Sequence, residues 1–448
     1  MTRVRLEEAP TLNGHQEDAL DLGTAGIIGL GYVGLPTAVA AARAGWQVVG
    51  FDIDPERVNS LNSGASHVAD VDSHTLAALV EERRFRATTD TSRIAECDVV
   101  LICVPTPINR SREPDLTAVV AASRAVRAAL RHGQLVILES TTYPGTTVEV
   151  VQPILEESGL KATHDFLLAF APERLEPGNM RFALADIPKV VGGLTPAATE
   201  RAVQFYSAFI RTVVPVSSPT AAEMVKIYEN VFRCINIAFV NELALLCSRM
   251  GLDVWEIIDA AATKPYGFMP FYPGPGLGGH CIPVDPHYLA WKAKHYDFHV
   301  KFIELAASIN DSMPYFVLER VMTALNDQGK CLRGARVLVL GVTYKRDVDD
   351  IRESPALKVM ELLHGRGAEV AFHDPFVESV DIETRDGTVA FHRRQLSPQL
   401  VHSADCCVII TDHSSYDWTS IAEHARLIVD TRNALRDHRD KAPHAYSL

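Results

Sequence analysis

The chain is expected to fold as α/β in three parts. These are an N-terminal parallel sheet covered by helices on both faces, a central helical domain built on one long helix, and a smaller C-terminal α/β unit of related design. Three observations predict this. From residue 25 short apolar runs alternate with helical stretches, the pattern of a doubly wound parallel sheet. Near Pro219 the alternation stops and an almost wholly apolar helical stretch runs to Gly251. A second alternation starts near Arg336. A length of 448 residues suits two or three domains at roughly 100 to 200 residues each. The expected boundaries are 1–24 for an N-terminal extension, then 25–217, 218–328 and 329–448.

The extension mixes Arg3, Arg5, Glu7, Glu8 and Glu17 with polar residues and lacks the apolar core of a signal peptide, so it reads as a mobile tail. Strands are expected at Gly26 to Gly29, Trp46 to Asp52, Val99 to Val104, Leu135 to Leu138, Phe166 to Phe170, Val190 to Gly192 and Val213 to Val216, with helices at Leu116 to Leu130 and Pro196 to Phe209. Thr220 and Glu223 have the spacing of a capping box opening the long helix, and Gly251 suits its C-terminal stop. At ~1.5 Å per residue that helix is roughly 45 Å long, enough to connect domains and to form part of a subunit interface. In the last unit Val337 to Gly341, Glu369 to Asp374, Cys406 to Thr411 and Leu427 to Asp430 read as strands and Pro355 to Gly365 as a helix.

Composition narrows the function. With 47% hydrophobic and 22% charged residues the chain reads as a soluble globular protein. A net charge of -13 argues against nucleic acid, which needs a basic face. The polar residues Lys226, Glu229, Asn230, Arg233, Asn236, Asn241 and Glu242 argue against a membrane role for the long helix. The eight cysteines show no C-x-x-C spacing and mostly lie in apolar runs, as reduced thiols of a cytoplasmic protein do; no metal site is expected.

Gly29-Leu30-Gly31-Tyr32-Val33-Gly34-Leu35-Pro36 follows a strand and opens a helix, and Asp52 ends the next strand, 18 residues after Gly34. Glycines permit the tight turn and close approach of a pyrophosphate to the helix N-terminus, while the carboxylate takes the adenosine ribose hydroxyls. Asp52 would repel a ribose phosphate, which favours NAD over NADP. Arg57 is expected either to stack on adenine or to be a solvated helix residue. Thr106 and Thr141 stand at two strand tips on the sheet's carboxyl edge, where their hydroxyls either meet the nicotinamide half or cap the turns.

Cys281 stands in Gly274-Pro275-Gly276-Leu277-Gly278-Gly279-His280-Cys281-Ile282-Pro283-Val284-Asp285-Pro286, a loop suited to close backbone approach rather than to an apolar core. A thiol beside a hydride acceptor suits oxidation of an alcohol through a trapped aldehyde to an acid. On the long helix Lys226, Asn230 and Arg233 fall at i, i+4 and i+7, with Asn241 close to the same direction. Lys226, among apolar flanks, is placed to stabilise an oxyanion.

These motifs, with Val104-Pro105-Thr106-Pro107, Pro172-Glu173, Ala222-Glu223-Met224-Val225-Lys226, and Tyr344-Lys345 through Asp350-x-Arg352-Glu353-Ser354-Pro355, resemble the UDP-glucose/GDP-mannose dehydrogenase family in the family's order, over nearly the whole chain after the extension. The resemblance implies an NAD-binding domain, a helical dimerisation core and a nucleotide-sugar domain. It implies that Cys281 attacks the aldehyde to give a thiohemiacetal, that a second NAD oxidises this to a thioester, and that water hydrolyses it to the uronic acid. It further implies that Lys226 and Asn230 hold the reacting oxygen, that Asp285 assists base chemistry, and that Glu173 and Thr141 position water. Lys345 would meet the substrate's phosphates and Arg352 would reach the cofactor across the cleft. Arg174, Tyr272 and Gly278 complete the expected substrate site, and Gly29, Gly31, Tyr32, Val33, Gly34, Asp52, Arg57, Thr106, Thr141 and Arg352 the cofactor site.

The family's members acting on UDP-glucose often carry a second Glu four residues after the first, where this chain has Pro177. They often have Phe-Gly-Tyr-Gly-Gly before the Cys, where this chain has Tyr272 to Gly279. Pro172-Glu173-Arg174 and Gly267-Phe268-Met269-Pro270 look more like members acting on UDP-N-acetylhexosamines. Glucose, N-acetylglucosamine and N-acetylmannosamine stay open as the sugar, as do dTDP and GDP as carriers. A two-electron hydroxy-acid dehydrogenase and a non-catalytic NAD-binding protein are the alternatives. Both leave the Cys281 loop unexplained. A homodimer or higher homo-oligomer is expected from the apolar surface of the long helix.

Overall fold

The computed structural model describes residues 22–109, 111–175, 182–279, 282–385 and 387–448; most of the N-terminal extension, Glu176, Pro177, His280 and Cys281 lie outside the described residues. The first sheet is built from β1 (Thr24–Ile28), β2 (Gln47–Phe51), β3 (Phe85–Thr88), β4 (Val99–Ile102), β5 (Leu135–Leu138), β6 (Leu167–Phe170), β7 (Lys189–Gly193) and β8 (Val213–Val216). Its order is β3-β2-β1-β4-β5-β6-β7-β8. The first six strands follow the dinucleotide-binding order, with the topological switch between β1 and β4. All four residues of β4 are buried, as they must be in a central strand covered by helices on both faces.

The sheet departs from the expected wholly parallel pattern at one place, since β6 and β7 pair antiparallel. A parallel partner needs a crossover, usually helical. Among its described residues the connection from Ala171 to Pro188 forms only the short 3-10 turn Leu184–Asp186, so the chain doubles back.

The long helix spans Pro219–Met250. Its cap is not the expected Thr220 and Glu223 box. Ser218 accepts from the Ala221 amide and Pro219 fills the first helical position, where no N–H is needed. Glu223 is drawn instead to a long-range partner. Its carboxylate accepts from the Gly145 and Thr147 amides and the Thr147 hydroxyl, fixing the turn after β5 to the long helix. The helix ends at Gly251 with φ 70, as expected. By length and composition it also passes the test for a membrane span, with mean hydropathy 1.5. Its buried polar residues Glu223, Lys226, Asn230 and Asn241 face other parts of the protein.

A second long helix, Lys301–Asp327, packs along the first, and the buried amides of Asn241 and Asn310 join them at 2.9 Å. It contains Pro314, which removes the hydrogen bond to the Asn310 carbonyl. The C-terminal unit is a parallel sheet of β9 (Arg336–Leu340), β10 (Glu369–His373), β13 (Cys406–Ile409), β14 (Ile428–Asp430) and β15 (Ala445–Ser447), ordered β10-β9-β13-β14-β15. An antiparallel hairpin, β11 (Ser379–Thr384) with β12 (Gly387–His392), is added beside it.

Candidate active site

The glycine turn after β1 has the geometry of a dinucleotide cradle. A Cβ at Gly34 would lie 1.9 Å from the Gly29 carbonyl oxygen, so only glycine lets the helix Gly34–Arg43 approach the strand this closely. A Cβ at Gly31 would meet nothing within 4 Å, so the backbone there faces open space where a pyrophosphate fits. Val33 is the N-cap residue of that helix and supplies no side-chain cap; the Leu35 amide donates to the Gly31 carbonyl at 3.1 Å, closing the turn at a helix N-terminus, an end that favours an anion.

Asp52, buried at the end of β2, accepts from the Leu30 amide at 3.1 Å, the Asp54 amide at 3.1 Å and the Arg57 guanidinium at 3.0 Å. Burial pushes its carboxyl up, but the Asp54 amide and Arg57 outweigh this and hold it below the usual range. It therefore stays ionised, as a ribose acceptor must. Arg57, part-exposed on the following helix, pairs with Asp52.

At the carboxyl edge, the Thr106 hydroxyl donates to the Thr141 carbonyl at 2.7 Å, and the Ser140 hydroxyl donates to the Val104 carbonyl at 2.8 Å. The Thr106 hydroxyl thereby ties the two tips together rather than capping its own following turn. Thr141 is half-buried at the same edge. The Tyr288 hydroxyl donates to the Thr106 carbonyl, joining the edge to the helix Asp285–Ala293.

Lys226 and Asn230, one turn apart on the long helix, are both buried. Asn230 Nδ2 donates to Oδ2 of Asp285 at 2.5 Å. Burial pushes the Asp285 carboxyl up to about 6, opposed by the charge of Lys226 and the Asn230 bond. Glu173, just after β6, accepts from the Arg174 amide at 2.7 Å, the Leu175 amide at 2.5 Å and Lys189 Nζ at 2.9 Å. Burial raises its carboxyl, but Lys189, the Leu175 amide and then Lys226 hold it below the usual range. Lys226 thus acts on two carboxyl groups from separate domains, which makes the four side chains one electrostatic unit.

The expected polar stripe divides. Arg233 is exposed. Asn241 is buried but accepts from the Gly274 amide at 3.0 Å, anchoring the loop rather than facing the lysine. Arg174 makes a two-pronged pair with Glu229 and donates to the Pro188 carbonyl.

The loop that leads to Cys281 is pressed against the C-terminal domain. A Cβ at Gly278 would lie 2.5 Å from Tyr344 Cβ, and the Gly279 amide donates to the Arg352 carbonyl at 3.0 Å. A Cβ at Gly276 would lie 3.4 Å from the Asn310 carbonyl, one turn before Pro314. Tyr272 stacks on Trp255 with ring centroids 5.8 Å apart. Cys281 itself lies outside the described residues. Arg352 pairs with Asp350 and holds its guanidinium 5.2 Å from the centroid of the exposed Tyr32 ring of the glycine turn. Lys345, half-buried, follows Tyr344 on the same loop.

Sequence reasoning missed Arg432. Its Nε donates to the Ile410 carbonyl at 3.1 Å, and a Cβ at Gly274 would lie 2.6 Å from its guanidinium. Burial lowers it to about 10, leaving a cation at the carboxyl edge of the second sheet. No local motif marks it. Lys189 and Glu139, behind Glu173, were missed as well. Among the described residues no cluster of His, Cys, Asp or Glu could hold a metal.

Glu223 titrates in a testable range. Burial pushes it up to about 7 from an ordinary 4.5, against its bonds to Thr147 and Gly145. The stabilisation linked to its raised affinity for a proton is complete below about pH 4.5 and is lost as pH climbs through about 7. Wild type should therefore lose thermal midpoint relative to Glu223→Gln between about pH 5 and pH 8. A difference independent of pH would show that this carboxyl does not titrate there.

Three family models cover the chain: the NAD binding domain of the UDP-glucose/GDP-mannose dehydrogenase family over residues 24–210, its central domain over 220–312 and its UDP binding domain over 338–437. The chain is 36% identical over 417 residues to UDP-N-acetyl-D-mannosamine dehydrogenase of Pyrococcus horikoshii, covering 92% of this chain and 96% of the relative. It is 38% identical over 357 residues to UDP-N-acetyl-D-glucosamine 6-dehydrogenase of Pseudomonas aeruginosa, covering 79% and 83%. The solved structure of the Pyrococcus horikoshii enzyme superposes with a TM-score of 0.83, over 92% of this chain and 96% of that one. A UDP-glucose dehydrogenase from Pyrobaculum islandicum, 27% identical, superposes equally well at 0.83, over 97% and 99%. With a dinucleotide cradle, a buried lysine-carboxylate unit and all three domain models in register, the chain belongs to the UDP-glucose/GDP-mannose dehydrogenase family and is an NAD-dependent nucleotide-sugar dehydrogenase.

Proposed function

We propose that the protein oxidises the primary alcohol of a UDP-N-acetylhexosamine to the uronic acid, in two two-electron steps around a covalent bond to Cys281. The observation that carries this reading is the buried unit of Lys226, Asn230 and Asp285, since Asp285 stands four residues after Cys281 and opens the helix that follows its loop. NAD bound in the cradle supplies the hydride acceptor for both oxidations.

Asp285, ionised above about pH 6, takes the proton of the sugar's primary hydroxyl while Lys226 and Asn230 hold the oxygen. The Cys281 sulfur then adds to the aldehyde carbon, and Lys226 stabilises the resulting oxyanion. After the second oxidation, water held by Glu173 and Thr141 adds to the thioester carbonyl. One water proton passes to Glu173, the carbon–sulfur bond breaks, and the thiolate and carboxylic acid separate. Lys345 and Arg432 are the cations assigned to the nucleotide phosphates, and Arg352, held over the Tyr32 ring, is assigned to the cofactor.

The acetylated sugar is favoured by the relatives at 36% and 38% identity, against 27% for the UDP-glucose enzyme. Turnover of UDP-N-acetylglucosamine, UDP-N-acetylmannosamine, UDP-glucose and their dTDP and GDP counterparts, followed by NADH formation, tests it. An acetylated UDP-sugar should give kcat/KM at least ~10-fold above UDP-glucose, a pocket-contact difference of a few kcal/mol at most. Preference for UDP-glucose would contradict the assignment.

We further propose a cytoplasmic homodimer or higher homo-oligomer. Tyr228, Phe239, Leu246 and Met250 leave an apolar face on the long helix, each more than half exposed. Sedimentation as a monomer would contradict this.

A further inference from the structure

Behind Glu173 lies a buried cluster to which neither oxidation assigns a task. Lys189 Nζ, at the start of β7 with a side chain only 4% exposed, donates to Glu173 at 2.9 Å and also to Glu139 at the end of β5. The far oxygen of Glu139 accepts from the Cys103 thiol at 3.2 Å. The Tyr206 ring, from the helix Pro196–Ser207, lies 5.0 Å from the ammonium. Lys226 acts on Glu173 from the long helix. The chain thus encloses two carboxyl groups around one ammonium, where an unpaired buried charge is strongly destabilising.

The sharing is unequal. Glu173 has two main-chain amides, Lys189 and the field of Lys226, whereas Glu139 has, among the described residues, Lys189, a weak thiol donor and the nearby Tyr206 hydroxyl, with no main-chain amide. We infer that Lys189 is a positioning residue for thioester hydrolysis: with Glu139 as its second partner, it presents Glu173 as the ionised carboxylate that takes the proton of the attacking water. This rests on the reading of Glu173 as the group that serves that water. The opposite tendencies of the two carboxyls agree with it. Burial raises Glu139 despite Lys189, while burial of Glu173 is outweighed by Lys189 and the amide.

The geometry makes two predictions of opposite sign. Without Lys189, Glu173 faces Glu139 with no cation between them, and its carboxyl must rise. Without the charge of Glu139, Lys189 is left wholly to Glu173, whose carboxyl must fall. Both changes leave Lys226, Asn230 and Asp285, which act in the first oxidation, in place, and reach them only through Glu173.

The test is the pH dependence of steady-state turnover, set beside the NADH burst of the first turnover, in the full-length enzyme with its UDP-sugar. Lys189→Met should shift the acid limb of the steady-state rate upward by about one pH unit or more, the scale of losing an adjacent opposite charge. It should slow the steady state at least ~10-fold at neutral pH and leave the burst amplitude largely intact. Glu139→Gln should shift the same limb downward, and Lys189→Arg should restore it toward wild type. If Lys189→Met does not fold, Glu139→Gln and Lys189→Arg still report the sign. Limbs unmoved in these variants, or burst and steady state lost together, would overturn the inference. Glu173→Gln separates the two levels. Full hydrolysis in that variant sinks the reading of Glu173 itself, whereas a hydrolytic defect there with unmoved limbs in the other variants sinks only the role of Lys189.

Discussion

Replacing Cys281 by Ala is expected to abolish uronic acid formation, by at least ~10³-fold, as loss of a covalent nucleophile does elsewhere. The first oxidation needs only the cradle, Lys226, Asn230 and Asp285, so the variant should still bind NAD and release some aldehyde with one NADH. Without the sulfur the aldehyde cannot form the thiohemiacetal held for the second hydride loss, and the slow route through its hydrate is all that remains. Quantifying acid by chromatography against NADH by absorbance would separate the two halves. Acid formed at near the wild-type rate would remove the thiol from the mechanism.

Lys226→Met should cost about 10² to 10³ in kcat, the scale of ~3 to 4 kcal/mol seen when one donor to a developing oxyanion is removed. The lysine has a second effect, because its charge lowers both Asp285 and Glu173. In the methionine variant Asp285, at about 6 in the wild type, ionises at a higher pH. The acid limb of kcat/KM should therefore move upward along with the fall in rate. A fall in rate with a fixed acid limb would mean that Lys226 is not coupled to Asp285. A rise in KM alone would make it a ground-state binding residue.

What was legible in the chain was what is encoded locally. Gly29, Gly31 and Gly34 carry their geometry in sequence, because the turn, the helix start and the open backbone edge lie within six residues. Asp52 follows from the strand period, and the lysine-asparagine pair from the helical one. The capping box failed because Ser218 followed by Pro219 is a stronger local start, and because Glu223 has partners 76 and 78 residues away that no local pattern shows. Strands β3 and β15 and the β11–β12 hairpin were missed; they are short, and in the hairpin only β11 carries buried positions, while no residue of β12 is buried.

The site divides in the same way. Lys226, Asn230 and Asp285 stand in recognisable motifs, but Arg233 shares their helical register and is exposed, since the domains cover only part of that face. Lys189, Glu139 and Arg432 stand in runs without any motif and gain meaning only when strands distant in sequence become neighbours. Arg174 sits within the Pro172-Glu173-Arg174 run and looks available until Glu229, 55 residues on, is brought against it.

The most direct test of the covalent four-electron account is the stoichiometry of a complete reaction with limiting UDP-N-acetylhexosamine and excess NAD. Two NADH per uronic acid, with no aldehyde accumulating in the wild-type enzyme, is the predicted result. One NADH per substrate consumed, with an aldehyde or ketone as the final product, would contradict it.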